Sequence, residues 1–209
     1  CFMTLWLLSC LAVAFNTWHR VYPEFSHALR ASVFAVTSLV STTGFSTDDF
    51  NTWPVTSKVI LLLLMVVGAC AGSTGGAIKQ DRLLIVIKKM ARDAVLFMRP
   101  QAVIRIKEGG ELVEESVVYG AVSYALLYIV FLAVASMLLT LVLPDALSAV
   151  SAVVATTGGV GPGFNLVGPA RNYMAVPNAG KVVLILCMLL GRLEFFPLMA
   201  MLFPSFWKK

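Results

Sequence analysis

Apolar residues run along this chain in blocks of two lengths, and the two lengths predict two kinds of element. Four blocks are long, at residues 1–15, 59–71, 117–143 and 182–203. The last two can cross the roughly 30 Å hydrocarbon layer of a bilayer with some tilt. The first is read as clipped by the start of the chain, and the second is compact. Two further blocks, residues 31–41 and 146–155, would rise only about 15 Å as helices, half of that layer. Ser26 precedes one and Asp145 the other, both residue types that cap helix N-termini. Each short block runs into the same polar step, Thr-Thr-Gly, at residues 42–44 and 156–158. Segments this short fit a buried helix of soluble type, an interfacial helix or a re-entrant half-helix. Their position between two longer apolar blocks favours the re-entrant form.

The blocks occur in a fixed order twice. At an offset of 114, Ala35, Val36, Val40, Thr42, Thr43 and Gly44 match Ala149, Val150, Val154, Thr156, Thr157 and Gly158. Past the step the offset becomes 123, and LLLLMVVG (61–68) meets LILCMLLG (184–191). The unit is span, short helix, Thr-Thr-Gly, loop, span, and both copies begin on the same side, so the repeat is parallel. The expected fold is an all-α membrane protein of two tandem parallel span–re-entrant helix–span repeats, residues 1–76 and 117–209. Residues 77–116 join them. Of these, 77–99 read as an amphipathic helix, and VIRIKEGGELVEE (103–115) as two β-prone runs around Gly109-Gly110, a small hairpin.

Composition agrees with the pattern. The chain of 209 residues is 59% hydrophobic and 13% charged, whereas soluble domains sit at roughly half and a quarter. The first block has no basic n-region and no small-residue cleavage site, so it does not read as a signal peptide. It opens at Cys1, and an N-terminal portion is expected upstream of it. Four cysteines, Cys1, Cys10, Cys70 and Cys187, stand singly in apolar stretches, without disulfide or metal-ligand spacing, and read as buried thiols. Eight of the sixteen basic residues fall between 79 and 107. The positive-inside rule places that segment in the cytoplasm, with 48–58 and 145–181 outside. Lys208 and Lys209 at the C-terminal end agree with four crossings. Topology therefore accounts for the basic run, and no nucleic-acid partner is expected.

The Thr-Thr-Gly steps carry the chemistry. Non-helical backbone at membrane depth is tolerated only where protein buries it or where it lines a water-filled cavity. A half-helix entering from outside aims its C-terminal carbonyls, the negative end of its dipole, at the membrane middle. A strand-like Thr-Thr-Gly after it can turn carbonyl oxygens inward, and glycine leaves no side chain to block the path. Four such segments around an axis would replace the water shell of a monovalent cation. The plainer reading is a buried helix ended by a glycine cap. Its occurrence twice, each time between a short helix and a loop leading to a span, weighs against that.

STTGFST (41–47), GACAGSTGGAIK (68–79), ATTGGVGPG (155–163) and GRLEFFPLM (191–199) together resemble the Trk/Ktr/HKT superfamily of potassium transporters, most closely its bacterial Trk-type membrane subunits. The motifs fall in order over essentially the whole chain. Members carry four such repeats around a K+-channel-like pore, so this chain resembles the third and fourth. The resemblance implies that Thr42, Thr43, Gly44 and Phe45 form one wall of a selectivity filter and Thr156, Thr157, Gly158 and Gly159 another. It also implies K+ as the transported ion, the bacterial inner membrane as location, a homodimer, and a separate cytoplasmic nucleotide-binding regulatory subunit. No covalent cofactor and no catalytic constellation are expected.

Two features lie below the filter. GSTGG, that is Gly72, Ser73, Thr74, Gly75 and Gly76, breaks the span that starts near residue 59, and no Gly-Lys-Ser/Thr follows to make a phosphate loop. It reads as a flexible intramembrane loop, or more plainly as the helix end before the basic segment; in the resembling family the corresponding loop is a gate. Arg192 lies about ten residues into the last span. A charge there costs about 2.5–3.5 kcal/mol to insert, so it must face a cavity or a partner. Glu194, two residues on, sits on another helix face. A structural ion pair would satisfy Arg192, and so would a pore-facing barrier to K+, which the resemblance favours. His19 and His27 read as interfacial residues near the outer mouth, and Asp48 and Asp49 as loop charges or cation attractors. A Na+-permeable or Na+-coupled transporter on the same scaffold stays open as an alternative, as does an assembly subunit that uses the short helices only for packing.

Overall fold

Helix length sorts the apolar blocks. The computed structural model describes residues 2–70, 72, 73, 75–102, 104–109, 111–193, 195 and 197. Its helices are α1 (Phe2–Thr17), α2 (Phe25–Val40), α3 (Val55–Val67), α4 (Gln80–Met98), α5 (Glu115–Thr140), α6 (Ala146–Gly158) and α7 (Asn178–Leu193). Strands β1 (Lys107–Glu108) and β2 (Glu111–Leu112) pair antiparallel as the expected hairpin. Among the described residues α5 alone is long and apolar enough to cross a membrane, with 26 residues and a rise of about 39 Å.

The short helices depart from the expected bounds in instructive ways. α2 starts at Phe25, not at residue 31, and its N-cap is Glu24, not Ser26. Ser26, His27 and Arg30 are exposed on one side, while Ala28, Ala31, Ser32, Ala35 and Leu39 are buried on the other. The helix is amphipathic at its outer end, so the apolar run understates its length. α6 begins as expected: the Asp145 carboxylate accepts the backbone N–H groups of Leu147 and Ser148. Nearly all of its residues from Ser148 to Gly158 are buried, many of them Ala, Ser or Gly, which lets neighbouring helices come close.

α3 stops earlier than the expected 59–71. Gly68 has φ 69° and ψ −159°, which turns the chain out of the helix. A Cβ there would lie 2.3 Å from that of Ala77. The break therefore falls at Gly68, and Gly72, Ser73, Gly75 and Gly76 belong to a loop already outside the helix. That loop closes at its root: Ile78 N–H donates to Val66 O (3.3 Å), Lys79 to Val67 O (3.1 Å) and Gln80 to Ala69 O (3.1 Å). Carbonyls left over at the end of α3 are thus satisfied by the returning chain.

The two largest apolar cores hold α1–α3 and α5–α7. One gathers Val13, Val36, Leu39, Leu61 and Met65 from α1, α2 and α3, and reaches Val154 of α6. The other gathers Leu139, Ala149, Val153, Leu184 and Cys187 from α5, α6 and α7. Outward lie Met3, Leu7, Leu8, Leu126, Ile129, Val130, Met137, Val182, Ile185 and Leu186, all more than half or nearly half exposed. A belt of this size suits hydrocarbon rather than water. Of the cysteines, Cys10 and Cys187 are buried as expected, but Cys70 is exposed, because it sits in the loop after Gly68 rather than in a helix. Cys1, Thr74, Glu194, Lys208 and Lys209 lie outside the described residues.

Candidate functional site

The two Thr-Thr-Gly steps leave their helices differently. α2 ends at Val40, and residues 41–45 wrap back over Ser38. The Ser38 carbonyl accepts the N–H groups of Thr43 (2.9 Å) and Gly44 (3.3 Å), while its hydroxyl donates to the Phe45 carbonyl at 2.6 Å. Thr42 has φ 59° and Gly44 φ 76°, so this step leaves the helix through left-handed residues rather than as the continuous strand expected. The second step is not strand-like. Thr156, Thr157 and Gly158 stay inside α6, and the turn comes at Gly159 in the left-handed region (φ 72°). The Thr156 hydroxyl returns to the Ala152 carbonyl at 2.7 Å, which lets threonine remain in a helix without an unpaired buried group. After the turn Tyr173 donates its hydroxyl to the Gly161 carbonyl (2.6 Å).

The steps meet each other. A Cβ on Gly44 would lie 2.0 Å from the carbonyl oxygen of Val160, so only glycine allows that approach. The rings of Phe50 and Phe164 stack edge-on at 5.5 Å just beyond. Outside this pair, Asn165 donates its backbone N–H to Asn51 Oδ1 (2.8 Å) and its side-chain amide to Asp145 Oδ2 (2.6 Å). Hydrogen bonds from Asn165 and Ser148 hold the Asp145 carboxyl below the usual carboxylate range. Gly168 makes room for this clasp, since a Cβ there would fall 1.8 Å from Asn51 Nδ2.

From the other side the loop after α3 presses on α6. Gly76 N–H donates to the Gly158 carbonyl (3.1 Å). The Thr157 carbonyl oxygen sits in a slot between two glycines: added Cβ atoms would lie 2.3 Å away on Gly76 and 1.9 Å away on Gly191. A Cβ on Gly75 would approach Thr42 Cγ2 at 3.1 Å. A cavity of about 410 Å³ results, lined by Thr42, Gly75, Gly76, residues 156–159 and Arg192.

That cavity brings together both steps, the loop and Arg192. Thr43, Gly44, Phe45, Gly72 and Ser73 lie off its wall; Phe45 is largely exposed and Gly72 meets nothing nearby. Ser38 and Gly191 went unrecognised in the sequence. The second carried a signal, because the offset of 123 pairs it with Gly68, the residue that ends α3. Chemically, the cavity receives the C-terminal end of α6, where the helix dipole is negative and favours cations, together with one fixed cation from Arg192.

Residues 2–208 match the family model described as TrkH, cation transport protein. The chain is 38% identical over 196 residues to the Trk system potassium uptake protein TrkH of Escherichia coli strain K12, covering 91% of this chain and 39% of that protein. Against the protein of the same name from Halomonas elongata it is 35% identical, covering 100% of this chain and 43% of the relative. Its fold superposes on the crystal structure of the potassium transporter TrkH from Vibrio parahaemolyticus with a TM-score of 0.88, at 36% identity over 99% of this chain and 44% of that one. The chain thus spans about two-fifths of the length of the relatives it matches. Its sequence and its fold together make it a member of the TrkH cation transport protein family.

Proposed function

We propose that this chain supplies two of the walls of a K+ uptake pathway in a bacterial inner membrane. Residues 1–76 and 117–209 would each contribute a span–re-entrant helix–span unit, and residues 77–116 the cytoplasmic link. Thr42–Gly44 with Phe45, and Thr156–Gly158 with Gly159, are the filter walls of this reading. Gly72–Gly76 and Arg192 form the gate beneath them. The observation that carries it is the cavity shared by Thr42, residues 156–159, Gly75, Gly76 and Arg192. A helix end rich in carbonyl oxygens attracts a dehydrating cation, whereas a guanidinium in the same space repels it. A passage with both can be filled selectively and still be kept closed. A second copy of the chain and a nucleotide-binding regulatory subunit are the partners that go with this reading.

The test is ion flux through the full native polypeptide in liposomes, with K+, Rb+ and Na+ compared before and after Gly44→Ser. Gly44 lies at φ 76° with no room for a Cβ beside Val160, so the serine must move the wall. Selectivity for K+ over Na+ should drop. Unchanged selectivity, with the protein still folded, would remove this step from the filter. Equal Na+ and K+ flux in the unmodified protein would favour the Na+-permeable alternative.

A further inference from the structure

The helix α4 and the chain that follows it enclose a second cavity, of about 430 Å³, far from the filter steps in sequence. Its polar lining comes from Lys88, Arg92, Arg105 and Lys107, and its apolar lining includes Val95 and Ile104; no carboxylate is among the described residues that line it. Lys88 reaches across the groove to the Lys107 carbonyl at 2.6 Å, which fixes the two edges together. Arg92 is held by Glu115, the first residue of α5, and its side chain is only 9% exposed.

Position decides what such a groove can bind. α5 rises about 39 Å against a hydrocarbon layer of roughly 30 Å, so its first turn falls in the headgroup layer. Ile106 of the groove and Ile85, earlier on α4, pack against Val118 and Ala121 in the first two turns of α5. Tyr119 projects from the same turn, largely exposed, with Lys89 Nζ 5.9 Å from its ring centroid; amphipathic aromatic rings favour this depth. Phe97, 90% exposed, and Met98 lie at the end of α4, where acyl chains would cover them. Lys88, Arg105 and Lys107, beside an Arg92 already paired with Glu115, set three cations over an apolar floor at headgroup height, which match a phosphate whose attached chains go into the bilayer.

We propose that this groove binds the phosphate headgroup of an anionic phospholipid of the cytoplasmic leaflet. The inference rests on reading α5 as a bilayer span. It has a consequence for regulation, because α4 continues directly from the loop that ends at Lys79. A bound lipid ties α4 to the start of α5, and so fixes the outgoing end of that loop. Anionic lipid content then sets how firmly the loop is held.

The experiment compares the full native polypeptide in nanodiscs of zwitterionic lipid with and without phosphatidylglycerol. Retained lipid is read by native mass spectrometry, alongside melting temperature and Rb+ flux in matched liposomes. Phosphatidylglycerol should be retained and should raise the melting temperature. Arg105→Gln with Lys107→Gln should weaken retention roughly fivefold per cation removed. Arg99→Gln, at an exposed cation off the groove, should leave it unchanged. Inorganic phosphate or glycerol phosphate added to zwitterionic nanodiscs should give no shift. Equal retention in the double variant, or equal loss in Arg99→Gln, would overturn the site; a shift with soluble phosphate would overturn the lipid assignment. Retention and melting are read without transport, so a failure of flux in every lipid would count against the transport reading alone.

Discussion

Substituting Gly76 by alanine should open the passage rather than close it. The added Cβ would stand 2.3 Å from the Thr157 carbonyl oxygen and 2.7 Å from that of Gly191. Comfortable carbon–oxygen contact needs about 3.3 Å, so the loop tip must withdraw by roughly 1 Å. Overpacking of this kind costs about 1–3 kcal/mol. Withdrawal also gives up the bond from Gly76 N–H to the Gly158 carbonyl, worth about 0.5–1.5 kcal/mol. The sum, about 1.5–4.5 kcal/mol against the docked tip, shifts its population roughly 10- to 2,000-fold. Gly75→Ala is the contrast: its closest neighbours would be the Thr42 side chain, Cγ2 at 3.1 Å and Oγ1 at 3.4 Å, and Ser73 Oγ at 3.7 Å, and a side-chain adjustment costing about 0.5–1.5 kcal/mol relieves it. Gly72→Ala meets nothing, although its φ of 78° strains the loop itself by about 1–2 kcal/mol. Basal Rb+ tracer flux in liposomes, with melting temperature as the control for folding, should rank Gly76→Ala well above Gly75→Ala. Equal flux in the two, or a fall in Gly76→Ala with melting unchanged, would refute the gate assignment.

Other outcomes follow from the same geometry. Arg192→Ala should raise basal K+ flux, since it removes the fixed cation from the cavity wall; Arg192→Lys should keep flux low, and unaltered flux in the alanine variant would take Arg192 out of the gate. Asp145 has its pKa depressed by bonds from Asn165 and Ser148, so its stabilising effect is fully present above the ordinary value near ~3.9. That effect is lost as pH falls through the lower folded value. Asp145→Asn keeps a capping side chain but should flatten the acid side of a melting-temperature profile. Asn51→Ala should destabilise by about 1–2 kcal/mol through the lost bonds to Asn165. Gly168→Ala should be harmful beside Asn51, 1.8 Å from its Nδ2, and much milder in the Asn51→Ala background; a double-mutant cycle of melting free energies checks the coupling.

What the sequence concealed has a common cause. The amphipathic α4, the hairpin and the Asp145 cap were all legible, because each rests on a local pattern. The start of α2 was not, because Ser26, His27 and Arg30 on its exposed side hide six further residues of helix from an apolar count. Identical Thr-Thr-Gly letters also do not fix one backbone. In the first copy Ser38 draws residues 43–45 away from the helix axis, while in the second Thr156 bonds back to Ala152 and the helix runs on to Gly158. The difference lies with the bonding partner, not in the repeated residues. Gly191 and Asn51 show the same limit: their roles arise from a carbonyl and a loop brought in from far along the chain.

The closed root of the loop after α3 implies a ladder of exchange rates. The amides of Ile78 and Lys79 are held by the end of α3 and that of Gln80 by Ala69 just past it, whereas the Gly76 amide depends on a single bond to a different helix. Deuterium should therefore enter at Gly76 while the three root amides remain protected, because freeing the tip requires no unwinding of α3. Were its tip freed, the loop would swing as a latch on a fixed hinge pin, leaving the helix that carries it intact.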